Sequence, residues 1–284
     1  MNIYVGCQGW RYPDWRIVAP VQEALAAPFY TKIAAAKELH YYSRTFGLVE
    51  VDSTFYATPA AKVVKGWAEQ TPEDFRFTLK LPRALTHEAR LQRGRRTLAE
   101  FCDVARTLDQ KLAAILIQLP PSFGISEFAV LERFAAHLPE DLPFAIEFRD
   151  PEWLTERTMI LLNTHKIALT LGDTPWIETE IALPWLNQLP TDWLYLRFMG
   201  PKEGGIEHFT HLQIDKEFIF DTWAKKIQAL SAAGKRIYAL FDNHLQGFSP
   251  GSATLMIRKL SLTEQPFPRD QKPPVEQLGL NFGA

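Results

Sequence analysis

The sequence predicts an α/β fold in a single domain, a TIM-type (β/α)8 barrel, on three observations. Short β-branched and aromatic runs alternate with amphipathic helical stretches eight times, and strand–helix alternation implies a parallel sheet covered by helices. The 284 residues suit one barrel of about 250 residues with a tail. The first run ends in Gly6-Cys7-Gln8-Gly9, without the GxGxxG turn expected of a doubly wound open sheet, which stays as the alternative.

The expected strands, in order, are Ile3–Gln8, Leu48–Asp52, Phe75–Lys80, Ala113–Leu119, Phe144–Phe148, Ile167–Leu171, Trp193–Phe198 and Arg236–Phe241. Thr58-Pro59 and Asp150-Pro151 each read as an N-cap followed by the first helical residue. Ser126 caps a helix that begins at Glu127, and Asp215 caps one that stops at Gly234. Three connections stand out: an aromatic loop from Trp10 to Pro28, a stretch from Gly172 to Asp192 with only a short helix near Trp185-Leu186, and a polar loop from Gly200 to Ile214. The barrel is expected over 1–262. A Pro-rich tail follows over 263–284, opening Gln265-Pro266-Phe267-Pro268 and running extended over the surface.

Composition narrows the function. With 46% hydrophobic and 23% charged residues the chain is an ordinary globular protein. A net charge of −2 supplies no global basic excess for nucleic-acid backbones, although a local patch survives that objection. Cys7 and Cys102 make no disulfide framework and read as small buried apolar residues. No apolar run approaches the ~18 residues of a membrane span, and Met1-Asn2-Ile3-Tyr4-Val5 reads as a strand and not as a leader, so no membrane partner and a cytoplasmic location are expected.

Strand alternation assigns the faces. Phe144, Ile146 and Phe148 belong under helices, so Ala145, Glu147 and Arg149 point into the barrel. By the same phase Glu50, Asp52, Arg76, Thr78, Lys80, Tyr195 and Arg197 point inward, as do Gln8, Gln118, Thr170 and Asp242. Four acids and four bases therefore share an interior normally filled by Val, Ile and Leu. Buried charge costs several kcal/mol unless paired, and apolar replacement of pairs is often neutral or stabilising, so stability alone is a weak reason to keep them. Glu50 and Arg76, lower in their strands, fit a salt-bridge layer on the barrel floor as well as a site. Asp52, Lys80, Glu147, Arg149, Arg197 and Asp242 lie at the carboxyl ends, the face that carries barrel active sites.

These residue types suit an anionic ligand. Arg149 and Arg197 are forked donors for phosphate or carboxylate, and Lys80 adds a point charge. Gln8, Gln118 and Asn243 add polar contacts. Ser249-Pro250-Gly251-Ser252 reads as a helix start with N–H groups facing the mouth, and Gly200 with Gly204-Gly205 fits a phosphate loop after the seventh strand. The plainer reading is that the glycines are turns and the arginines neutralise Glu147 and Asp242. Glu147, Asp52 and Asp242 are the acid–base candidates, with His87 as a proton shuttle and His244 also able to reach the mouth. Trp10, Tyr12, Trp15, Phe55, Tyr56 and Trp153 lie near strand ends and could stack on a ligand; Trp10 and Tyr56 are the chosen candidates, although packing is the commoner role. His208 and His211 lack the HExxH pattern, and no metal site is expected from them. GxSxG is absent and Cys7 points outward, so there is no nucleophile signal.

The segments Gly6-Cys7-Gln8-Gly9-Trp10-Arg11-Tyr12-Pro13-Asp14-Trp15, Phe46 to Tyr56, Phe77-Thr78-Leu79-Lys80 with Thr86-His87, Gln118-Leu119-Pro120-Pro121-Ser122-Phe123, Glu147-Phe148-Arg149-Asp150-Pro151-Glu152-Trp153, Tyr195 to Gly200 and Phe241-Asp242-Asn243 together resemble the YecE-like family, a domain of unknown function. The resemblance runs over about residues 3 to 258. It implies a TIM-type barrel and no particular reaction, and the family's barrels are likened at fold level to endonuclease-IV-like and xylose-isomerase-like enzymes. Ser is usual in the family where Gln8 stands, His at Asp150 and Met199, and Asn at Asp242 and Ser252.

Two functional readings follow, with a third beside them. The first is an enzyme using acid–base chemistry on a phosphorylated or otherwise anionic small molecule of sugar-phosphate type, with no cofactor expected and a divalent metal left open. The second is a nucleic-acid-binding or nucleic-acid-processing barrel, with Arg90, Arg93, Arg95 and Arg96 as its basic rim; that run reads equally as a solvated helix start. The third is a non-catalytic anion binder.

Overall fold

The computed structural model describes residues 2–22, 24–201 and 205–270; the expectations for Met1, Gly204 and the tail beyond 270 lie outside them. Eight parallel strands close on themselves in sequence order: β1 Ile3–Gln8, β2 Leu48–Val51, β3 Arg76–Lys80, β4 Leu112–Gln118, β5 Phe144–Glu147, β6 Ala168–Asp173, β7 Trp193–Phe198 and β8 Arg236–Phe241. The seam pairs Ile3 with Ile237 and Cys7 with Phe241. The ends agree with the sequence reading to within a residue, except that β6 runs on to Asp173, where Gly172 and Asp173 pair with Arg197 and Phe198.

The helices are α1 Glu38–Thr45, α2 Ala61–Glu69, α3 Arg95–Arg106, α4 Phe128–Ala135, α5 Glu156–Thr164, α6 Thr179–Ala182, α7 Glu217–Ala232, α8 Asn243–Gln246 and α9 Ser249–Lys259. Asp215 stands one residue before the N-cap Lys216 of α7 and accepts the Glu217 N–H at 2.7 Å, and Gly234 follows the helix at φ 86°. Other starts differ. Thr58-Pro59 stays in the loop and extended Ala60 precedes α2. Ser126 sits inside a 3-10 turn that leads into α4. Asp150 caps only the turn Pro151–Trp153, while Thr155 caps α5 through the Thr158 N–H. Local cap chemistry marks a chain reversal, and tertiary packing selects which nearby residue starts the helix. No helix among the described residues is long and apolar enough to cross a membrane.

Two apolar layers hold the fold. The larger lies between sheet and helices; the smaller fills the barrel with Leu48, Ala114, Leu116, Ala145, Ala168, Tyr195 and Leu240. Cys7 belongs to the outer layer, and burial pushes its thiol up to about 12. Beside it the Tyr42 hydroxyl accepts the Cys7 N–H at 2.7 Å and donates to the Leu48 carbonyl at 2.9 Å. This contact needs β1 and β2 in close approach, and a Cβ at Gly6 would stand 1.8 Å from the Leu48 carbonyl oxygen. Gly6→Ala is expected to cost about 3 kcal/mol or more, read as a lowered urea midpoint, because the obstacle is backbone that cannot move aside. A midpoint within 0.3 M of the parent (about 0.5–1 kcal/mol at usual slopes) would contradict that approach.

Apart from Tyr12, which lines a cavity at the strand carboxyl ends, the aromatic first loop is packing. Trp15 is fully buried, its Nε1–H donates to Asn243 Oδ1 at 3.1 Å, and its ring meets Phe29, Tyr30 and Phe248. Arg11 and Arg16 both bind Glu38. Trp153 is likewise buried, stacked against Phe123 and Phe148. Beyond residue 262 the chain returns over this loop: Phe267 packs on Phe29 and Phe248, and Arg269 donates to the carbonyls of Ala24 and Ala26.

Candidate functional site

At the carboxyl ends of the strands lies a half-open cavity of about 590 Å³. Gln8 reaches it from β1, Asp52 and Tyr56 from the turn after β2, Lys80 and His87 from β3 and its loop, and Gln118 from β4. Arg149 follows β5, Arg197 stands on β7, and Asp242, Asn243 and His244 follow β8. Ten of the twelve residues singled out from the sequence line this one space. The exceptions are Trp10 and Glu147. Trp10 turns outward, its ring edge-to-face with Trp67 at 5.9 Å, because the residue after the Gly9 turn (φ 91°) leaves the strand's alternation.

Arg197 is the centre of the floor, and its expected role needs correction. The residue is 1% exposed. Nη2 donates to Gln8 Oε1 at 2.7 Å and Glu50 Oε1 at 2.8 Å; Nη1 donates to Glu147 and, at 3.4 Å, to Gln118. Its terminal nitrogens are thus spent on protein, so Arg197 is no free clamp for a ligand. Glu50 also accepts the Tyr195 hydroxyl at 2.7 Å, and Thr78 hydrogen-bonds that hydroxyl. Burial drives the Glu50 carboxyl upward while Arg197 pulls it back. This is the floor layer foreseen for Glu50. Arg76 is not in it: its Nη1 binds the carbonyls of Glu73 and Phe75 at the opposite end of the barrel.

Glu147 also needs correction as a proton-transfer group. It is fully buried beneath the cavity, held by Arg197 and by Arg149 Nε at 3.0 Å. Burial alone would raise its carboxyl, but the two guanidinium groups bring it down to about 2. A carboxylate held that low neither donates a proton near neutral pH nor draws one off effectively. Its work is to orient Arg149.

Arg149, unlike Arg197, keeps its terminal nitrogens free for a ligand. Its Nη groups have no hydrogen-bond partner among the described residues, while Nε is fixed on Glu147 and Cζ lies 3.7 Å from the Trp176 ring centre. A guanidinium pinned at one edge and covered on one face retains its outer fork for a bidentate acceptor. Lys80 Nζ is 3.1 Å from Asp52 Oδ1 and 4.9 Å over the Phe55 ring.

Two titratable groups of the cavity are shifted towards their neutral forms. Asp242 Oδ1 accepts the His244 N–H at 2.8 Å; burial first, and then the nearby Asp52 charge, raise its carboxyl above the ordinary range. His87 sits in a wide turn, Ala84–Glu88, edge-on to Phe55 and 2.9 Å from Thr86 Oγ1. Burial, followed by Arg149, Arg83 and Lys80, lowers its imidazole to about 4. The ring is therefore neutral at pH 7. Because the unfolded chain takes this proton at about 6.5 and the fold only near 4, the His87 contribution to stability is full above 6.5 and lost as pH falls towards 4. The His87 ring carbons are expected to titrate near pH 4 by NMR; a midpoint above 6 would overturn this description.

The remaining expectations sort plainly. Asn243 lines the cavity, but its Oδ1 is committed to the fold, accepting Trp15 Nε1–H and both the N–H and hydroxyl of Ser249. That also corrects the anion site expected at Ser249: the start of α9 is buried and its leading N–H is capped from Asn243. Of the basic run, Arg90 pairs with Glu127 and Arg96 with Glu100, and none of the four lines the mouth cavity. His211 Nδ1 lies 3.0 Å from Thr210 Oγ1, and no group of three His, Cys, Asp or Glu is placed to hold a metal ion among the described residues. Arg83, Trp176 and Phe209 line the cavity without having been foreseen. Trp176 was legible in principle, since extending the sixth strand to Asp173 puts Thr174-Pro175-Trp176 at a strand end.

Closed parallel sheet, helical jacket and a polar cavity over the strand carboxyl ends define a TIM-type barrel protein. The chain belongs to the family described as "Protein of unknown function DUF72", whose model matches residues 4–278. It is similar to UPF0759 protein YunF of Bacillus subtilis, 26% identical over 280 residues, covering 92% of this chain and 95% of that protein. It is also similar to UPF0759 protein YecE of Escherichia coli, 31% identical over 154 residues, a match that spans 54% of this chain and about half (51%) of that relative. Among solved structures, a DUF72 family protein from Thermotoga maritima superposes with a TM-score of 0.72 at 25% identity, covering 92% and 99% of the two chains. One from Enterococcus faecalis gives 0.70 at 20%, covering 92% and 98%, and shares the fold.

Proposed function

We propose that this protein is an enzyme acting by acid–base chemistry on a phosphorylated or carboxylated small molecule bound in the mouth cavity. The carrying observation is the contrast between two arginines: Arg197 is consumed by Glu50, Glu147 and Gln8, whereas Arg149 is oriented by Glu147 and backed by Trp176 with its outer donors open to the cavity. An anion on Arg149 would also meet the positive field of Lys80 and Arg83. Asp242, whose carboxyl is raised, carries the proton transfer in this reading, and neutral His87 serves as a hydrogen-bonding relay beside the ligand. Asp52, paired with Lys80, is placed to position a polar group of the substrate.

The test is thermal stabilisation by a panel of phosphorylated and carboxylated metabolites, followed by NMR of each mixture over time. A ligand at a hundred times its Kd stabilises by about 2.7 kcal/mol, a rise of roughly 5 °C for a chain of this size. Turnover of a stabilising compound is expected to fall at least 10²-fold in Asp242→Asn with stabilisation retained. If no anion in the panel raises Tm, the binding reading fails. If anions bind and none is converted, the protein is a binder and the catalytic reading fails.

A further inference from the structure

The floor of the cavity carries a second set of donors that the anion does not use. Gln8 Nε2 and Asn243 Nδ2 are buried without a partner among the described residues, and both residues line the cavity. Their orientation is settled by chemistry. Gln8 Oε1 accepts from Arg197 Nη2, which can only donate, and Asn243 Oδ1 accepts the Trp15 indole N–H, which also only donates. In both amides it is therefore the NH2 that stands idle. Leaving a buried donor unmade costs about 1–3 kcal/mol, and two idle amides in one cavity, beside the likewise unpartnered Arg197 Nε and His244 Nδ1, point to a ligand that accepts from them.

The closed strand order places these donors. β1 and β8 are neighbours, and β5 lies across the barrel from β1. The Gln8 and Asn243 amides thus face the Arg149 and Trp176 wall from the opposite rim. On the amide side two carboxyl oxygens also lack a donor among the described residues, Asp242 Oδ2 and Asp52 Oδ2, their Oδ1 atoms being taken by the His244 backbone N–H and Lys80. A carbonyl would satisfy the amides alone. A hydroxyl both accepts and donates, and so answers amides and carboxylates together.

We infer that the ligand spans the mouth: its anionic group on Arg149 against Trp176, and hydroxyl groups on the Gln8 and Asn243 amides and the carboxyls of Asp52 and Asp242. The ligand class is then a phosphorylated sugar or polyol. This rests on the anion reading above and narrows it.

Calorimetry with inorganic phosphate, sorbitol, glycerol phosphate and a set of hexose 6-phosphates tests it. At least one phosphorylated polyol is expected to bind tenfold or more tighter than inorganic phosphate. Gln8→Glu, which keeps the acceptor for Arg197 and removes the NH2, and Gln8→Met should each abolish most of that difference while leaving inorganic phosphate affinity within about threefold. Equal affinity for phosphate and every phosphorylated polyol overturns this inference and leaves the anion reading standing. So does a difference that persists in both Gln8 variants. Failure of phosphate and all phosphorylated compounds to bind removes the anion reading itself.

Discussion

Replacing Arg197 with Met is expected to lower Tm by 10 °C or more, or to prevent folding. The substitution removes the single cation that contacts both Glu50 and Glu147, two carboxylates 0% and 3% exposed. Breaking a buried pair costs about 3–5 kcal/mol because the abandoned charge remains in the interior. Here Glu50 is abandoned outright and Glu147 is left with Arg149 alone, in a protein whose whole stability is expected to be about 5–15 kcal/mol. Arg197→Lys should also be poorly tolerated, since an ammonium lacks the fork that reaches Gln8, Glu50 and Glu147 together. Adding Glu50→Gln and Glu147→Gln to Arg197→Met should restore part of the loss, because the deserted charges are then gone. Thermal unfolding followed by circular dichroism measures all three. A Tm for Arg197→Met within 2 °C of the parent would mean that the network is not what holds the barrel floor.

Arg149→Met is expected to do the reverse, sparing the fold and removing the ligand. Arg149 is half-buried at the rim and shares Glu147 with Arg197, so Glu147 keeps a cation when it goes. Loss of a bidentate charged contact to an anion costs about 2–5 kcal/mol, and affinity for phosphate or a phosphorylated ligand should fall about 10²-fold or more. Isothermal calorimetry with parent and variant, both shown folded by circular dichroism, measures this. Arg149→Lys should recover little, since a point charge cannot reproduce the outer fork beside Trp176. Unchanged affinity in Arg149→Met would move the anion elsewhere in the cavity and defeat the central role given to this side chain.

The pair also shows where sequence reasoning succeeds. Strand count, closure and the inward phase of Gln8, Glu50, Lys80, Gln118 and Arg197 follow from an alternation with period two, enforced by the apolar layer under the helices. What alternation does not contain is reach. Arg197 and Arg149 look equivalent as inward arginines at strand ends. One side chain extends across the barrel to β1 and β2, while the other is turned by a glutamate two residues before it. Glu147 changed from proton carrier to anchor for the same reason, since its neighbours on β7 are unknown until the register is known. Trp10 and Tyr12 sit in a loop without period, so nothing local said that Tyr12 would face the cavity and Trp10 the helices. Asn243 caps Ser249 six residues on, a match set by the short helix between them.

The seam between β1 and β8 has a consequence for biosynthesis. The residues that zip the sheet shut, Arg236–Phe241, leave the ribosome last among the strands, while Ile3–Gln8 leave first. Until then the nascent chain carries two raw edges of hydrogen-bonding backbone, the kind of surface that invites pairing between molecules. Slow emergence of the final quarter should therefore favour aggregation over soluble yield, and chaperones that shield exposed strands would find their client in the unfinished polypeptide.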